Sequence, residues 1–503
     1  MKKRYNITFV LSSRGERGTK MLCCRVYVLG MAGLLAGAGP AGAQTSAAEQ
    51  TAPAAPAERQ GPAPGQTGAP SKAPSPEAPT GLWERANLLG DMGGLRSLLG
   101  NHGVSLGLAE TSEVLGNPTG GRRSGAVYEG LTEASLGVDL GKAVGLSGGI
   151  VNISAFQIHG RGLSSNNINN LNIVSSLEAD RSTRLFEWWY QQSFLGGRAD
   201  VKIGQQGADQ EFMVSQYGGL FFNAGFGWAT LPSVDLPSGG PAYPLAALGV
   251  RLRAQPLEPL TVLLGVYNGS PAGLGVGDPQ RRDASGTNFD LNSGVFVIGE
   301  VQYAINPGGD APGLAGTYKL GAWYNSNAFT DQFFTVGPIT AAAAFANPPR
   351  ARRNDWSVYG VVDQLVYRPP GAKDGGAGVF IRAMGAPGDR NQVNMSVNGG
   401  VTYKGAFGRD NDTAGLGLGW ARIGDRARAG DAALAAFSGG FYPVRSSETV
   451  LELSYQAALA PWWTVQPDFQ YVFSPGGGIL NPNRPGKRLG DAAILGVRTG
   501  VIF

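Results

Sequence analysis

Along most of the chain, apolar and polar residues alternate with a period of two. Val250 and Leu252 oppose Arg251 and Arg253, and Ala199, Val201 and Ile203 oppose Arg198, Asp200 and Lys202. Leu451, Leu453 and Tyr455 oppose Glu452, Ser454 and Gln456; Val393, Met395, Val397 and Val401 oppose Asn394, Ser396, Asn398 and Thr402. Successive side chains of a strand point to opposite faces, so each run predicts a strand with one apolar and one wet face. About sixteen runs recur, beginning near residues 104, 127, 147, 184, 197, 246, 260, 294, 316, 356, 377, 392, 414, 446, 462 and 492.

The last run, AAILGVRTGVIF (492–503), carries the most information. Leu495, Val497, Thr499, Val501 and Phe503 share one parity, and Gly496, Arg498 and Gly500 take the other. The strand finishes on an aromatic. The closing strand of an outer-membrane barrel does so, with the aromatic in the interfacial girdle. On this reading Leu495, Val497, Val501 and Phe503 face lipid, Arg498 faces a pore, and the strand pairs back to the one near Val104. Phe503 would also be the feature that the barrel-assembly machinery engages.

Connector lengths alternate as well. Gaps at Gly141–Leu146, Leu195–Gly196, Pro256–Pro259 and Ala458–Pro461 are short, while those after strands 3, 5, 7, 9, 13 and 15 are long and polar. Short turns at one end and long loops at the other mark an outer-membrane barrel. The connectors Ala304–Ala315 and Lys404–Thr413 are long for turns, and Ala386–Asn391 is short for a loop. The fold class expected is therefore all-β: a transmembrane, antiparallel up-and-down β-barrel of about sixteen strands over residues 102–503, preceded by a short helical segment.

The residues ahead of the barrel divide into three parts. Residues 1–43 read as a cleaved signal peptide, with a long basic stretch, an apolar run over Val26–Ala38 and the small-residue site Ala41-Gly42-Ala43. Residues 44–80 are rich in Ala and Pro and read as a disordered linker. Residues 81–101 carry leucines at 88, 89, 95, 98 and 99 and read as a Gly-interrupted helical segment at the periplasmic mouth.

The leader changes the charge and cysteine counts. It holds seven of the 41 Lys+Arg and one of the 37 Asp+Glu, so the formal +4 of the full chain becomes −2 without it. The basic balance then belongs to export and gives no argument for a nucleic-acid partner. Cys23 and Cys24 leave with the leader, removing disulfides, thiolate metal sites and Cys nucleophiles. With 79 Gly and no long uncharged apolar run after the leader, strands and turns are favoured over membrane-spanning helices.

Enzyme chemistry is poorly supplied. His102 and His159 are the only histidines, too few for a histidine metal cluster, and no Ser–His spacing suggests a hydrolase. No metal or cofactor is expected. The inward parity carries more. In RLFEWWYQQSF (184–194), Phe186, Trp188 and Tyr190 would face lipid, and Glu187, Trp189 and Gln191 the pore. Arg198, Asp200, Lys202, Arg251, Arg253, Glu452 and Arg498 would join them. A channel for neutral polyols needs many donors and acceptors that replace water, with binding weak enough to release. A mixed set of Arg, Asp, Glu, Gln and Trp suits that better than a ring of one sign. The segment 207–244 keeps Phe212, Phe221, Phe222, Phe226 and Trp228, too many aromatics for a solvated loop. It is expected to fold inward and narrow the pore; a subunit contact is the alternative.

Several motifs in order resemble the OprB-type carbohydrate-selective porins of Gram-negative bacteria. They are LLGDMGGLRSLLGNHGVSLGLAETSEVLGNPTGG (88–121), FEWWYQQSF with GGRADVKIGQQGADQEFM (186–213), PWWTVQPDFQYVFSPGG (461–477) and LGVRTGVIF (495–503). Met92 departs from the Trp more usual in the family at that place. The resemblance implies a sixteen-stranded outer-membrane barrel, surrounded by outer-membrane lipid, that passes glucose and related sugars by facilitated diffusion. It also implies an eyelet of Arg and acidic residues helped by inward loops, with Glu187, Arg198, Asp209 and Glu211 in the matching motifs. The facing parity of Glu187 and Arg198 makes these two the candidates for setting selectivity. The rival readings are a general diffusion porin for other small solutes and a structural or adhesive barrel with a blocked lumen. Oligomeric state stays open.

Overall fold

A computed structural model describes residues 81–307, 313–336, 348–371, 375–438 and 440–503. The proposed signal peptide and the linker lie outside the described residues. The chain forms sixteen strands: β1 (Val104–Gly121), β2 (Gly125–Asp139), β3 (Gly149–Gly160), β4 (Ser182–Phe194), β5 (Ala199–Gln206), β6 (Ala247–Leu257), β7 (Leu260–Asn268), β8 (Val295–Ile305), β9 (Gly316–Thr335), β10 (Pro349–Tyr367), β11 (Gly376–Gly385), β12 (Val393–Lys404), β13 (Thr413–Ile423), β14 (Ser447–Ala460), β15 (Trp463–Phe473) and β16 (Gly490–Ile502). Each pairs antiparallel with its neighbours in sequence, and β16 returns to β1, so the sheet closes without an edge. Sixteen strands leave an interior wide enough to need filling or to hold water. The expected strand starts agree within three residues except at β10, which begins at Pro349 rather than near 356.

The ends of the barrel differ as the connector lengths predict. Short connectors such as Pro461-Trp462 gather at one end, taken as periplasmic, and long ones at the other. At the short-turn end sits a 3₁₀ turn, Met92–Gly94, running into helix α1 (Leu95–Asn101). The segment is tied to the barrel by the Leu88 N–H donating to the Ile502 carbonyl at 2.8 Å and the Trp462 indole donating to the Leu82 carbonyl at 2.8 Å. Trp83 stacks on Trp462 with ring centroids 6.0 Å apart.

Two expected faces are corrected. In β4 the pairing with β3 slips between Ser154 and Ala155, which oppose Glu187 and Leu185, leaving Phe186 as the extra residue of a bulge. A bulge adds one residue to the period of two and so turns the side chains on either side of it to the same face. Phe186 therefore points inward with Glu187. It is 0 % exposed and stacks on Phe156 at 4.4 Å, while Trp188 is 41 % exposed on the outer wall. A second slip, between Val393 and Met395 of β12, turns Val393 into the interior while Met395 stays on the outer face.

The interior is not simply wet. Residues 207–246 enter the barrel, and Phe212, Met213 and Leu231 pack there against the inward side chains Tyr267, Phe296, Trp323, Tyr359 and Met384 of β7–β11. Phe221 and Phe226 pack on Phe380 of β11. Each large apolar side chain so buried contributes about 1.5–3 kcal/mol, which explains why an aromatic-rich loop docks inside.

Candidate functional site

The inward loop is held by its main chain. Arg382 of β11 donates to the carbonyls of Met213 at 2.8 Å and Gly227 at 2.6 Å, and also to that of Gly225. Carboxylates of the wall accept loop N–H groups: Glu187 from Gly207 at 2.9 Å, Glu300 from Met213 at 2.8 Å, and Glu452 from Phe222 at 2.5 Å and Asn223 at 3.1 Å. Gln466 donates to the Leu220 carbonyl at 2.6 Å and Lys319 to that of Val214 at 2.6 Å. Hydrogen bonds to charged groups contribute about 1.5–3 kcal/mol each, so the loop is a fixed part of the lumen.

Beside the point where the loop leaves β5, charges of alternating sign form a ladder. The Arg253 guanidinium meets Asp200 at 2.5 Å; Asp200 also pairs with Arg251; Arg251 meets Glu211 at 2.6 Å; and Glu211 pairs with Lys202. Gln191 accepts from Arg251 at 3.3 Å. The Lys202 ammonium lies 4.5 Å from the centre of the Trp189 ring, whose indole N–H donates to Glu187 at 3.0 Å. Eight candidate residues named from sequence thus share one network. The Trp189 indole is 4 % exposed, so its face supports Lys202 and is not free for a solute. Burial alone would push the Glu211 carboxyl up, but Lys202 and Arg251 hold it below the usual range.

Asp209 stands one step further into the loop. Its Oδ2 accepts from the Tyr243 N–H at 2.9 Å, and its Oδ1 has no partner. It lines a cavity of about 70 Å³ together with Ser215, Asn223, Trp228 and Tyr243. Burial pushes the Asp209 carboxyl up to about 7; the Tyr243 N–H opposes this and Glu187 adds to it.

The remaining candidates lie elsewhere. Arg198 is not on β5: it belongs to the turn before it, exposed, and donates to the carbonyls of Gln255 at 3.2 Å and Pro256 at 2.6 Å. The residues Leu195–Gly197 form a 3₁₀ turn there, which removes Arg198 from the strand's parity and from any facing pair with Glu187. Glu452 is inward but engaged with the loop's main chain. Arg498 is inward on β16, at 2.8 Å from Glu113 of β1 and 3.9 Å from the Phe222 ring. Sequence reading missed Glu113, Glu300 and Arg382. Each falls on the inward parity of its strand, a signal that was available, but their partners lie far away along the chain.

Among the described residues no group of three His, Cys, Asp or Glu is arranged to hold a metal ion. The site offers fixed charges of both signs, a free carboxylate oxygen, and amide, hydroxyl and aromatic groups around a narrow interior space. The family described as carbohydrate-selective porin, OprB family, matches residues 123–503. Porin B of Pseudomonas aeruginosa is 26 % identical over 439 residues, covering 83 % of this chain and 91 % of that protein. A putative porin, QuiX, of Acinetobacter baylyi is 25 % identical over 84 % of this chain and 94 % of its own length. The high-pH structure of Pseudomonas putida OprB superposes with a TM-score of 0.73 at 23 % identity, covering 85 % of this chain and all of that one.

Proposed function

The chain belongs to the OprB family of carbohydrate-selective porins of the Gram-negative outer membrane, and from that premise we propose that it passes sugars such as glucose passively through a lumen narrowed by residues 207–246. The observation that carries this reading is Asp209. Asp209, whose buried Oδ1 has no hydrogen-bond partner, lines an interior space with Ser215, Asn223, Trp228 and Tyr243. A carboxylate acceptor, an amide and a hydroxyl can replace the water around sugar hydroxyls, and aromatic faces suit the C–H face of a pyranose. The ladder of Asp200, Lys202, Glu211, Arg251 and Arg253 then supplies donors and acceptors of both signs next to it, two carboxylates among three cations. The mechanism is diffusion past fixed groups, with no covalent step.

Single-channel recording in planar bilayers with a glucose titration tests the reading. A saturable, sugar-dependent reduction of ion current that weakens about tenfold in Asp209→Asn, the loss of one charge-assisted hydrogen bond, is expected. Conductance without sugar block favours a general diffusion porin, and absence of conductance a closed barrel.

A further inference from the structure

The long-loop rim beside the closing seam gathers cations without counter-charges. Residues 474–489 join β15 to β16, residues 122–124 join β1 to β2, and β3 ends at Gly160. Arg122, Arg123, Arg161, Arg484, Lys487 and Arg488 lie in or just beyond these segments, and all six are exposed. Main-chain contacts hold the segments side by side. The Asn483 amide donates to the Arg122 carbonyl at 2.8 Å, and the N–H groups of Arg122 and Arg123 donate to the Asn167 carbonyl at 2.7 and 3.2 Å. The Arg161 N–H donates to the Tyr128 carbonyl of β2 at 2.9 Å. Neither 117–128 nor 474–490 contains an acidic residue. Of the carboxylates that follow β3, Glu178 accepts from the Ser164 N–H at 2.9 Å and Asp180 pairs with Arg281 at 3.0 Å. Among the described residues no carboxylate pairs with any of the six cations. Arg488 donates to the Val444 carbonyl at 3.0 Å and Arg123 to that of Asn166 at 3.1 Å, whereas the side chains of Arg122, Arg161, Arg484 and Lys487 reach no described partner.

Further round the same rim arginines are matched by acids: Arg352 meets Asp331 at 2.6 Å, Arg390 meets Asp389 at 2.8 Å and Arg445 meets Asp431 at 2.9 Å. Like charges gathered without an acid repel one another, and salt only screens that repulsion. An anion from outside the chain removes it. A second observation concerns what lies beneath. Leu453 of β14 and Leu495 of β16 are exposed on the outer wall, at the level of their common register partner Phe469 of β15. Phe473, exposed, stands four residues further toward the rim as the last residue of β15, and exposed Tyr128 lies near the corresponding end of β2. In this sector the outer wall therefore presents hydrocarbon, then aromatic rings, then unpaired cations. A lipid leaflet presents its layers in the same order: acyl chains, interface, headgroup phosphates.

We propose that this rim binds the phosphates of the glycolipid that forms the outer leaflet of the outer membrane. The choice of occupant follows from charge and position. Guanidinium groups form paired, charge-assisted hydrogen bonds with phosphate oxygens, and Lys487 adds a point charge. The cations are exposed and long, so they suit phosphates that a membrane already presents beside them. A dissolved anion would find no buried donor to hold it there. A lipid is retained by its acyl chains against Leu453 and Leu495, and the cations select the phosphorylated headgroup. The inference does not depend on which solute the lumen carries.

Binding of fluorescent bisphosphorylated lipid A to the purified, folded protein in mild detergent tests it, read as anisotropy and compared with the dephosphorylated lipid. Wild type is expected to bind the phosphorylated form at least about tenfold more tightly, with the difference shrinking as salt is raised. The variant Arg122→Gln, Arg161→Gln, Arg484→Gln, Lys487→Gln is expected to lose that preference while heat-dependent gel migration shows it folded. The variant Lys142→Gln, Arg198→Gln, Lys404→Gln, Arg409→Gln, which removes four cations at the short-turn end, is expected to keep it. Equal binding of the two lipids by wild type overturns the proposal, as does a preference that survives in the first variant or disappears equally in the second. Displacement of the lipid by equimolar glucose 6-phosphate or inorganic phosphate also overturns it, because the rim would then serve a dissolved anion.

Discussion

Glu113 of β1 and Arg498 of β16 are register partners across the seam where the barrel closes, and their side chains pair at 2.8 Å on its inner side. Both are largely buried, and the guanidinium also lies over Phe222 of the inward loop. Removing one member of such a pair strands the other charge. Arg498→Met is therefore expected to destabilise the barrel by about 3–5 kcal/mol, and adding Glu113→Gln to recover part of that loss. Urea titration followed by heat-dependent gel migration measures both.

The bulge at Phe186 gives a sharp contrast between neighbours. Phe186→Ala is expected to cost about 3–5 kcal/mol, the range for removing a buried aromatic, whereas Trp188→Ala on the lipid face costs much less. Brominated lipids provide an independent check: they should quench Trp188 fluorescence but not a tryptophan placed at 186, each read in a variant lacking the other tryptophans. Equal quenching would return Phe186 to the outer wall.

Much of this architecture was legible from alternation alone. The fifteen strand starts other than that of β10 fall where the period-two runs begin, because a wall with lipid on one side and polar groups on the other enforces that pattern. Phe186 and Val393 escaped because a bulge leaves no mark in composition. Arg198 was misplaced because the turn Leu195–Gly197 delays the start of β5 to Ala199, past the start near 197 that the alternation suggests. Arg382, a lone cation on the inward parity of β11, was visible as such. That it grips Met213, Gly225 and Gly227 was not, since nothing local to β11 states where a loop begun after β5 will land.

Asp209 should make ion selectivity depend on pH. Its carboxyl is pushed up to about 7 by burial, so it is mostly neutral at pH 6 and mostly charged at pH 8. Cation preference is expected to rise across that interval, read as a shift in reversal potential under a salt gradient, and to be flat in Asp209→Asn. The same raised value favours the protonated form in the folded state. Its contribution to stability is full below the unfolded value near pH 4 and is lost as pH rises through about 7.

Arg382→Met tests whether the loop is fixed by its main-chain contacts. Three carbonyls lose their donor, at an expected cost of several kcal/mol to loop docking rather than to the barrel wall. Single-channel current should become larger and noisier while heat-dependent migration stays that of a folded barrel. Unchanged conductance and noise would show that the apolar packing of Phe212, Phe221 and Phe226 holds the loop by itself.

The main-chain grip on residues 207–246 has an evolutionary meaning. Glu187, Glu300, Arg382, Glu452 and Gln466 bind N–H and carbonyl groups that every amino acid except proline supplies in full. Loop side chains that project into the lumen can therefore be exchanged while the clamp persists. Under the proposed function, point changes at positions such as Asp209 and Glu211 would retune what the channel prefers, keeping the same scaffold and the same loop path.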